Sequence, residues 1–286
     1  MIEIESKDNP KIKHLRKLKN KKYRDEYSEF LVENFVTIKD AFEGGYKPKQ
    51  IFITNEFLSP QSSANLVCEA NGASGIPFAG EKNKASRAEL DGIEKMLNVE
   101  LSSMEESYLI DKQVNESFSN LKTASGVCAV YGKLNNQIDF KEPVIYLNAI
   151  NDPGNLGTIL RSALAFDLKN IVCDENCVDL YNYKVINAAK DAIFKLNIQT
   201  DQDFKLLKEI KEKMKVFSTR LEESNDLDVL KKEKVFCLVL GSESHGVSSE
   251  IQDLSDDFIK INMGKEIESL NVSGAAAIIF NRIYNK

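Results

Sequence analysis

Short apolar segments alternate with helical segments throughout the second half of the chain, and this alternation constrains the fold more than any other feature. Five strands are predicted, at residues 144–147, 170–173, 215–219, 236–240 and 258–261. Five helices are predicted, at residues 155–166, 181–189, 204–214, 248–254 and 271–284. Strands that alternate with helices form a parallel sheet with helices on both faces. An α/β fold is therefore predicted from Val144 to the end of the chain.

The first half also alternates and predicts a smaller α/β unit. We expect a first domain over 1–132, a polar linker over 133–142 with a turn-like Asn135-Asn136, and a second domain over 143–286. In the first domain the pattern predicts helices that begin at Pro10 and after residue 35, the first running to about residue 20 and the second ending near 44–45. It also predicts helices at 62–71 and 86–96 and strands at 50–54, 76–79, 108–110 and 125–131.

Composition excludes several classes of protein. No apolar run reaches the roughly 18 to 20 residues that cross a bilayer, and the first six residues lack the features of a secretory signal. The five cysteines are scattered without a Cys-x-x-Cys pair, and there are only two histidines. We therefore expect a cytoplasmic protein with no metal site and no His-based nucleophilic catalysis.

The net charge of −6 conceals a basic segment near the N-terminus. Nine basic residues and one acid lie between Lys7 and Arg24, with Ile12, Leu15 and Leu18 at helical spacing. This pattern indicates an amphipathic helix whose basic face suits phosphates, the alternative being an ordinary solvated face. The candidate RNA-binding residues of this segment are Lys11, Lys13, Arg16, Lys17, Lys21, Lys22 and Arg24.

Polar segments follow three of the predicted strands, at Asn148–Arg161, Leu238–Val247 and Ile261–Ala275. Each places Gly, Asn, Ser or a charged residue where its strand should end. In α/β proteins, ligands bind at the carboxyl ends of the strands. The chain has no GxGxxG and no GxxxxGK[ST] motif, so a dinucleotide fold or a P-loop is disfavoured.

The residues of these segments also have ordinary structural explanations. Asn155 can cap the helix that begins after the Asp-Pro-Gly turn, and Gly157 allows a ligand or another backbone to approach closely. Arg161, taken alone, is a surface arginine on an amphipathic helix. Gly241 ends a strand in a tight turn, and we expect His245 to be a loop residue rather than a catalyst.

The order and spacing of the three segments closely resemble the SpoU (TrmH-type) family of RNA 2′-O-ribose methyltransferases. The residues that carry the resemblance are the pattern NxGxxxR from Asn155 to Arg161, Gly241-Ser242-Glu243, and the run from Glu268 to Ser273. The resemblance implies a deep trefoil knot in the parallel-sheet domain (an α/β knot), S-adenosyl-L-methionine as cofactor and a homodimer. A looser match at Phe30–Asn34 implies that the first domain binds substrate and resembles RNA-binding ribosomal proteins.

The resemblance also implies roles for individual residues. The implied catalytic residues are Arg161, Glu243, Ser269 and Asn271, with Asn155 contacting RNA. The implied cofactor-binding residues are Thr219, Leu240, Gly241, Ile261, Met263 and Leu270. We interpret Arg161 as an electrostatic stabiliser of the developing alkoxide, with a base role as the alternative, and Glu243 as a candidate for orienting it.

The chain departs from the family pattern in one segment that commonly faces the RNA or the partner subunit. The family has an Arg-Ala-Ser-x-Gly-Ala run where this chain has Asn187–Ala192. The expected function is methylation of a ribose 2′-hydroxyl in ribosomal RNA. The alternatives are a transfer RNA 2′-O-methyltransferase, a non-catalytic RNA-binding protein on the same scaffold, and a methyltransferase with a small metabolic substrate.

Overall fold

The protein is described by a computed structural model that covers residues 2–58, 106–264, 266–267 and 269–285. The chain divides into two compact units, Met1–Lys133 and Leu134–Lys286. The helices predicted at 62–71 and 86–96 and the strand predicted at 76–79 lie outside the described residues.

The first unit is built on a mixed five-stranded sheet in the order β1-β4-β3-β5-β2. Strands β1, β4 and β3 are parallel to one another, and β5 runs antiparallel to both β3 and β2. The strands are β1 (Ile2–Ile4), β2 (Glu29–Val32), β3 (Gln50–Thr54), β4 (Ser107–Ile110) and β5 (Val127–Gly132). The helices described in this unit are α1 (Pro10–Lys17), α2 (Lys21–Tyr27), α3 (Phe35–Glu43) and α4 (Lys112–Phe118).

The basic N-terminal segment forms two helices rather than the single one that we predicted. Helix α1 buries Ile12, Leu15 and the following Leu18 almost completely, as the helical spacing predicted. The chain then turns at Asn20, whose side chain accepts a hydrogen bond from the Lys22 amide at 2.9 Å and caps α2. The turn and this cap divide the basic segment into two helices.

The second unit is the predicted α/β fold, a seven-stranded and fully parallel sheet in the order β10-β12-β9-β11-β6-β7-β8. The strands are β6 (Val144–Leu147), β7 (Asn170–Asp174), β8 (Asn197–Asp201), β9 (Lys215–Thr219), β10 (Asn225–Asp226), β11 (Phe236–Leu240) and β12 (Asp257–Lys260). The α-helices are α5 (Pro153–Ala165), α6 (Tyr183–Ala189), α7 (Ala192–Lys195), α8 (Lys205–Lys213), α9 (Ser249–Leu254) and α10 (Val272–Tyr284), and Leu227–Lys232 is a 3₁₀ helix.

The central strands lie between two apolar layers of the second unit. One face of β6 and β11 packs against α5 and α10, and the other packs against α8 and α9. Ile138 of the predicted linker packs in this second layer and is only 7% exposed. The Asn136 side-chain amide also attaches the linker to the second unit, donating to the Leu196 carbonyl at 2.9 Å. Residues from Leu134 onward therefore belong structurally to the second unit.

Candidate active site

The three polar segments meet at the carboxyl edge of the parallel sheet. Strands β6 and β11 are neighbours whose last residues, Leu147 and Leu240, pair with each other. The chain leaves β6 toward β7 on one side, and later places β11 on the other side of β6. This reversal of connection direction is the topological switch point at which open α/β sheets bind ligands.

Glu243 is the residue that joins the three segments. Its Oε1 accepts hydrogen bonds from the Asn155 side-chain amide at 3.3 Å and from the Val272 backbone amide at 3.2 Å. The Asn271 side-chain amide also donates to this oxygen, and it donates to the Asn155 Oδ1 at 3.0 Å. The carboxylate thus holds the starts of α5 and α10 together beside the loop that follows β11.

The helix caps leave the Asn155 side chain available for this cluster. Asn155 does not cap α5 as the sequence suggested, because Asp152 is the N-cap and accepts from the Asn155 backbone amide at 2.8 Å. Asn271 caps α10, since its Oδ1 accepts from the Ser273 and Gly274 amides at 2.9 and 3.3 Å. One side chain therefore serves both the helix terminus and the cluster.

Arg161 lies on α5, two turns beyond the N-cap, and its side chain is exposed. It makes no hydrogen bond or ion pair with the residues that the structure describes. Glu243 bonds through Oε1 to Asn155, Asn271 and the Val272 amide, and among the described residues no direct bond joins it to Arg161. An exposed guanidinium with five donors is available to an anion from solution.

The two motif glycines allow backbone contacts inside the protein. A Cβ at Gly241 would lie 2.1 Å from the Gly246 carbonyl carbon and 2.2 Å from its oxygen, so the missing side chain lets the loop 241–246 close on itself. A Cβ at Gly157 would lie 2.4 Å from the Ala188 Cβ and 2.8 Å from the Val185 carbonyl oxygen, which shows that α5 needs Gly157 to pack on α6.

The residues expected to bind the cofactor separate into two groups. Leu240 is 1% exposed and belongs to the apolar core, so its side chain is not available to a ligand. Ile261, Met263 and Leu270 are half-buried in the irregular segment that follows β12. The adjacent strand β9 ends at the half-buried Thr219, which pairs with Ile259 of β12. Ser269 is exposed in the same segment.

A buried network beside the site was not predicted from the sequence. Asp174, 2% exposed at the end of β7, accepts from the Asn148 side-chain amide at 2.7 Å and from the Ala149 and Asn176 backbone amides at 3.0 and 3.1 Å. Asn148 in turn accepts from the Ser248 amide at 2.8 Å. The signal was present in the sequence, because Asn148 and Asp174 each stand at the end of a buried strand.

Cysteine chemistry does not contribute to this edge of the sheet. A hydrogen bond with Cys173 and burial raise the pKa of the Cys177 thiol. The Cys177 thiol donates to the Leu147 carbonyl and its sulfur accepts from the Ile150 amide, both at 3.3 Å. Among the described residues no group of three or more His, Cys, Asp or Glu side chains is placed to hold a metal ion.

In the first unit most of the predicted RNA-binding cations are at the surface, but one is not. Arg24 is only 6% exposed, and its guanidinium donates to the Leu18 and Lys19 carbonyls at 2.7 and 2.8 Å. Arg24 therefore stabilises the end of the first helical segment and is withdrawn from the predicted basic face. Lys13, Lys17, Lys21 and Lys22 are exposed, whereas Lys11 and Arg16 are half-buried and bonded to Glu106 and Ser117.

No helix in the described part of the chain is long and apolar enough to span a membrane.

Comparisons with known proteins agree with this architecture. Residues 142–281 match the model of the SpoU rRNA methylase family, and residues 9–77 match an MRM3-like substrate-binding domain. The chain is 24% identical over 280 residues to the 23S rRNA (guanosine(2553)-2′-O)-methyltransferase RlmP of Bacillus subtilis, with 98% of each chain covered.

Solved structures share the fold of nearly the whole chain. An AdoMet-bound rRNA methyltransferase from Sinorhizobium meliloti aligns with a TM-score of 0.75 at 21% identity, covering 99% of this chain and 97% of the other. The SpoU methyltransferase AviRb from Streptomyces viridochromogenes aligns with a TM-score of 0.76 at 18% identity and 97% coverage of both chains. By its motifs and its matching family model, the domain formed by residues 142–281 of this chain belongs to the SpoU rRNA methylase family.

Proposed function

We propose that this protein is an S-adenosyl-L-methionine-dependent RNA methyltransferase that methylates a ribose 2′-hydroxyl, with ribosomal RNA as its substrate. The observation that carries the proposal is the cluster of Asn155, Glu243 and Asn271 at the start of α5, the helix that also carries the exposed Arg161. The 23S rRNA activity of the Bacillus subtilis relative, which is similar over nearly its full length, supports ribosomal RNA as the substrate.

Arg161 supplies positive charge where the reaction develops negative charge. A ribose hydroxyl that attacks an electrophile becomes an alkoxide, and a permanently charged guanidinium stabilises this oxygen and grips a neighbouring phosphate. A guanidinium holds its proton too firmly to act as a base, so we favour the electrostatic role. Ser269 and Asn271 are the polar groups that we assign to positioning the ribose, because in-line transfer depends on orientation.

The cofactor fits the apolar part of the site. S-adenosyl-L-methionine supplies the methyl group on its sulfonium centre. Half-buried Ile261, Met263 and Leu270 offer apolar surface for an adenosine beside Thr219, at the carboxyl ends of β9 and β12. The missing side chain of Gly241 lets its loop close, and we assign the Gly241 backbone to contact with the adenosine. The chain's own residues therefore bind and orient, while the cofactor carries the reactive group.

Membership of this family leads us to propose two further features. The first is the trefoil knot, for which the family match over residues 142–281 is the support. The second is a homodimer, supported by exposed apolar side chains on the second unit. For the first unit we propose RNA binding through the exposed lysines of α1 and α2, which attract phosphates.

The test is transfer of labelled methyl from S-adenosyl-L-methionine to RNA from a strain that lacks this protein. Ribosomal and transfer RNA are assayed separately, with Arg161→Ala as the test variant and Lys208→Ala, an exposed cation on α8, as the matched control. We expect label in ribosomal RNA, lost with Arg161→Ala and retained with Lys208→Ala.

Other outcomes would change the proposal in defined ways. Label in transfer RNA alone would identify transfer RNA, rather than ribosomal RNA, as the substrate. An absence of label in both RNAs, together with no binding of the cofactor, would contradict the enzyme and favour an RNA-binding protein on this scaffold.

A further inference from the structure

A groove crosses the carboxyl ends of four neighbouring strands of the parallel sheet. Its walls come from the segments that follow β11, β6, β7 and β8, and its volume is about 340 Å³. The side chains that line it include Asn148, Asn151, Asn176, Phe204, Ser242 and Glu250. The groove shares two chain segments with the candidate active site but contains neither Arg161 nor the Asn155 and Asn271 side chains.

The buried Asp174 network holds the groove in shape. Asp174 bonds to Asn148, Ala149 and Asn176, and Asn148 bonds to the Ser248 amide, so one carboxylate links three of its walls. Ala149 is held at φ +54° and Phe204 has φ +55°, which residues with a Cβ rarely adopt. Strained backbone of this kind clusters at ligand sites and persists only where surrounding contacts enforce it.

The chemistry of the groove excludes several ligands. Its lining contains no Lys or Arg; His245 is its one basic side chain, and Glu250 contributes a carboxylate, so a phosphate or the carboxylate of a cofactor is disfavoured. Hydrogen bonds from its own backbone amide and from the Ser249 hydroxyl lower the pKa of Glu250, which is therefore ionised near neutral pH. The amide and oxygen of Asn148 are bonded within the protein, whereas the exposed Asn151 and Asn176 amides can both donate and accept hydrogen bonds to a ligand.

An unpaired nucleobase matches this combination of groups. Sites of about 300 to 1,000 Å³ with a few convergent polar groups are the size of small-ligand pockets. Proteins recognise RNA sequence mainly through unstacked bases, whose edges bond to polar side chains and whose faces pack on aromatic rings. Phe204 supplies a half-buried ring at one end of the groove. A carboxylate only accepts, and among the four bases only guanine presents two adjacent donors, N1–H and the N2 amino group, on one edge.

We propose that this groove binds a single unpaired guanine base of the RNA substrate next to the methylated ribose, with Glu250 accepting from its N1–H and N2 amino groups. The inference rests on the proposed function, since it names the nucleotide that the same site recognises. Asn148 and Asn176 border the base, and Asp174 acts on it only as a positioning residue.

Binding of three single-stranded oligouridylates to the full chain, saturated with S-adenosylhomocysteine, tests the proposal. They carry one central guanine, adenine or hypoxanthine, and hypoxanthine is guanine without the N2 amino group. Fluorescence anisotropy should show at least about tenfold tighter binding of the guanine oligonucleotide, the discrimination of a two-donor contact. In Glu250→Gln this preference should fall to less than about threefold, because the carboxamide offers one acceptor and a mismatched donor.

Asp253→Asn is the matched control, because Asp253 is an exposed carboxylate on the same helix and does not line the groove. It should keep the full guanine preference. Equal affinities for the three oligonucleotides, including no measurable binding of any, would overturn the inference, as would a preference that survives in Glu250→Gln. If the cofactor binds and methyl transfer proceeds in those cases, only the inference fails. Loss of methyl transfer and of cofactor binding in the unaltered chain would instead overturn the proposed function.

Discussion

At the scale of single residues, Glu243 has three hydrogen-bond donors around one carboxylate oxygen. Glu243→Gln can keep an oxygen at the position of Oε1, but it replaces the charged acceptor of Asn155, Asn271 and the Val272 amide by a neutral one. A hydrogen bond to a charged group contributes about 1.5 to 3 kcal/mol, so we expect methyl transfer to slow by about ten- to a hundredfold. Initial rates with saturating RNA measure this effect. Glu222→Gln, an exposed carboxylate elsewhere in the unit, should leave the rate unchanged, and an equal loss in both variants would contradict the role of Glu243.

Asp174 should contribute to the stability of the fold rather than contact a ligand at the surface. Asp174→Asn replaces one accepting oxygen by a donor that faces donors on Asn148, Ala149 or Asn176. Leaving a buried donor unsatisfied costs about 1 to 3 kcal/mol, which should appear as a lower free energy of unfolding in urea. Glu175→Gln changes the exposed carboxylate next in sequence and should unfold like the unaltered chain. Equal midpoints for the two variants would show that the network contributes nothing.

At the scale of elements, the packing of α5 on α6 depends on one glycine. Gly157→Ala would place its Cβ 2.4 Å from the Ala188 Cβ and 2.8 Å from the Val185 carbonyl oxygen. Overpacking of this kind costs about 1 to 3 kcal/mol of unfolding free energy. Adding Ala188→Gly should recover only part of the loss, because the close contact with the backbone carbonyl oxygen of Val185 would remain. Gly264→Ala, which has no atom within 4 Å of the new Cβ, should be neutral in the same urea titration.

The cations in the two short helices of the basic segment have two different roles, one structural and one at the surface. Arg24→Gln removes two hydrogen bonds to the Leu18 and Lys19 carbonyls, so the free energy of unfolding should fall by about 1.5 to 3 kcal/mol. Lys21→Gln, on the exposed face of α2, should leave stability unchanged. It should weaken RNA binding and reduce the slope of log affinity against log salt by about 1. A stable Arg24→Gln protein with weakened RNA binding would reverse these assignments.

Burial explains which elements could be predicted from the sequence. Strands β6, β9 and β11 begin and end at the predicted residues or within one of them, because apolar runs in the middle of a parallel sheet are bounded by polar residues. Strand β8 was missed, since it lies at the sheet edge and reads Asn-Ile-Gln-Thr-Asp, which has no such contrast. The partners of Glu243 and Asp174 were also missed, because they depend on which strands become neighbours.

At the scale of the whole molecule, most of the exposed large hydrophobic side chains of the described chain lie in the second unit. The large hydrophobic residues that are exposed in the described chain are Ile2, Leu221, Ile267, Ile278 and Tyr284. All but Ile2 lie in the second unit, and Ile278 shares the outer face of α10 with the exposed Gly274 and Asn281. Helix α10 also begins in the candidate active site, at Asn271. A partner subunit on this face would therefore connect assembly to the site.

Ile278→Glu tests this connection. The side chain is 45% exposed, so the charged variant should fold, while a charge buried in a dimer interface would disfavour association. We expect sedimentation to show a monomer in place of a dimer, and methyl transfer to fall by about tenfold or more because the start of α10 loses its support. Ile2→Glu, at a 62% exposed position of the first unit, should remain dimeric and active. A dimeric Ile278→Glu protein would place the interface elsewhere, and a fully active monomer would show that one subunit holds a complete site.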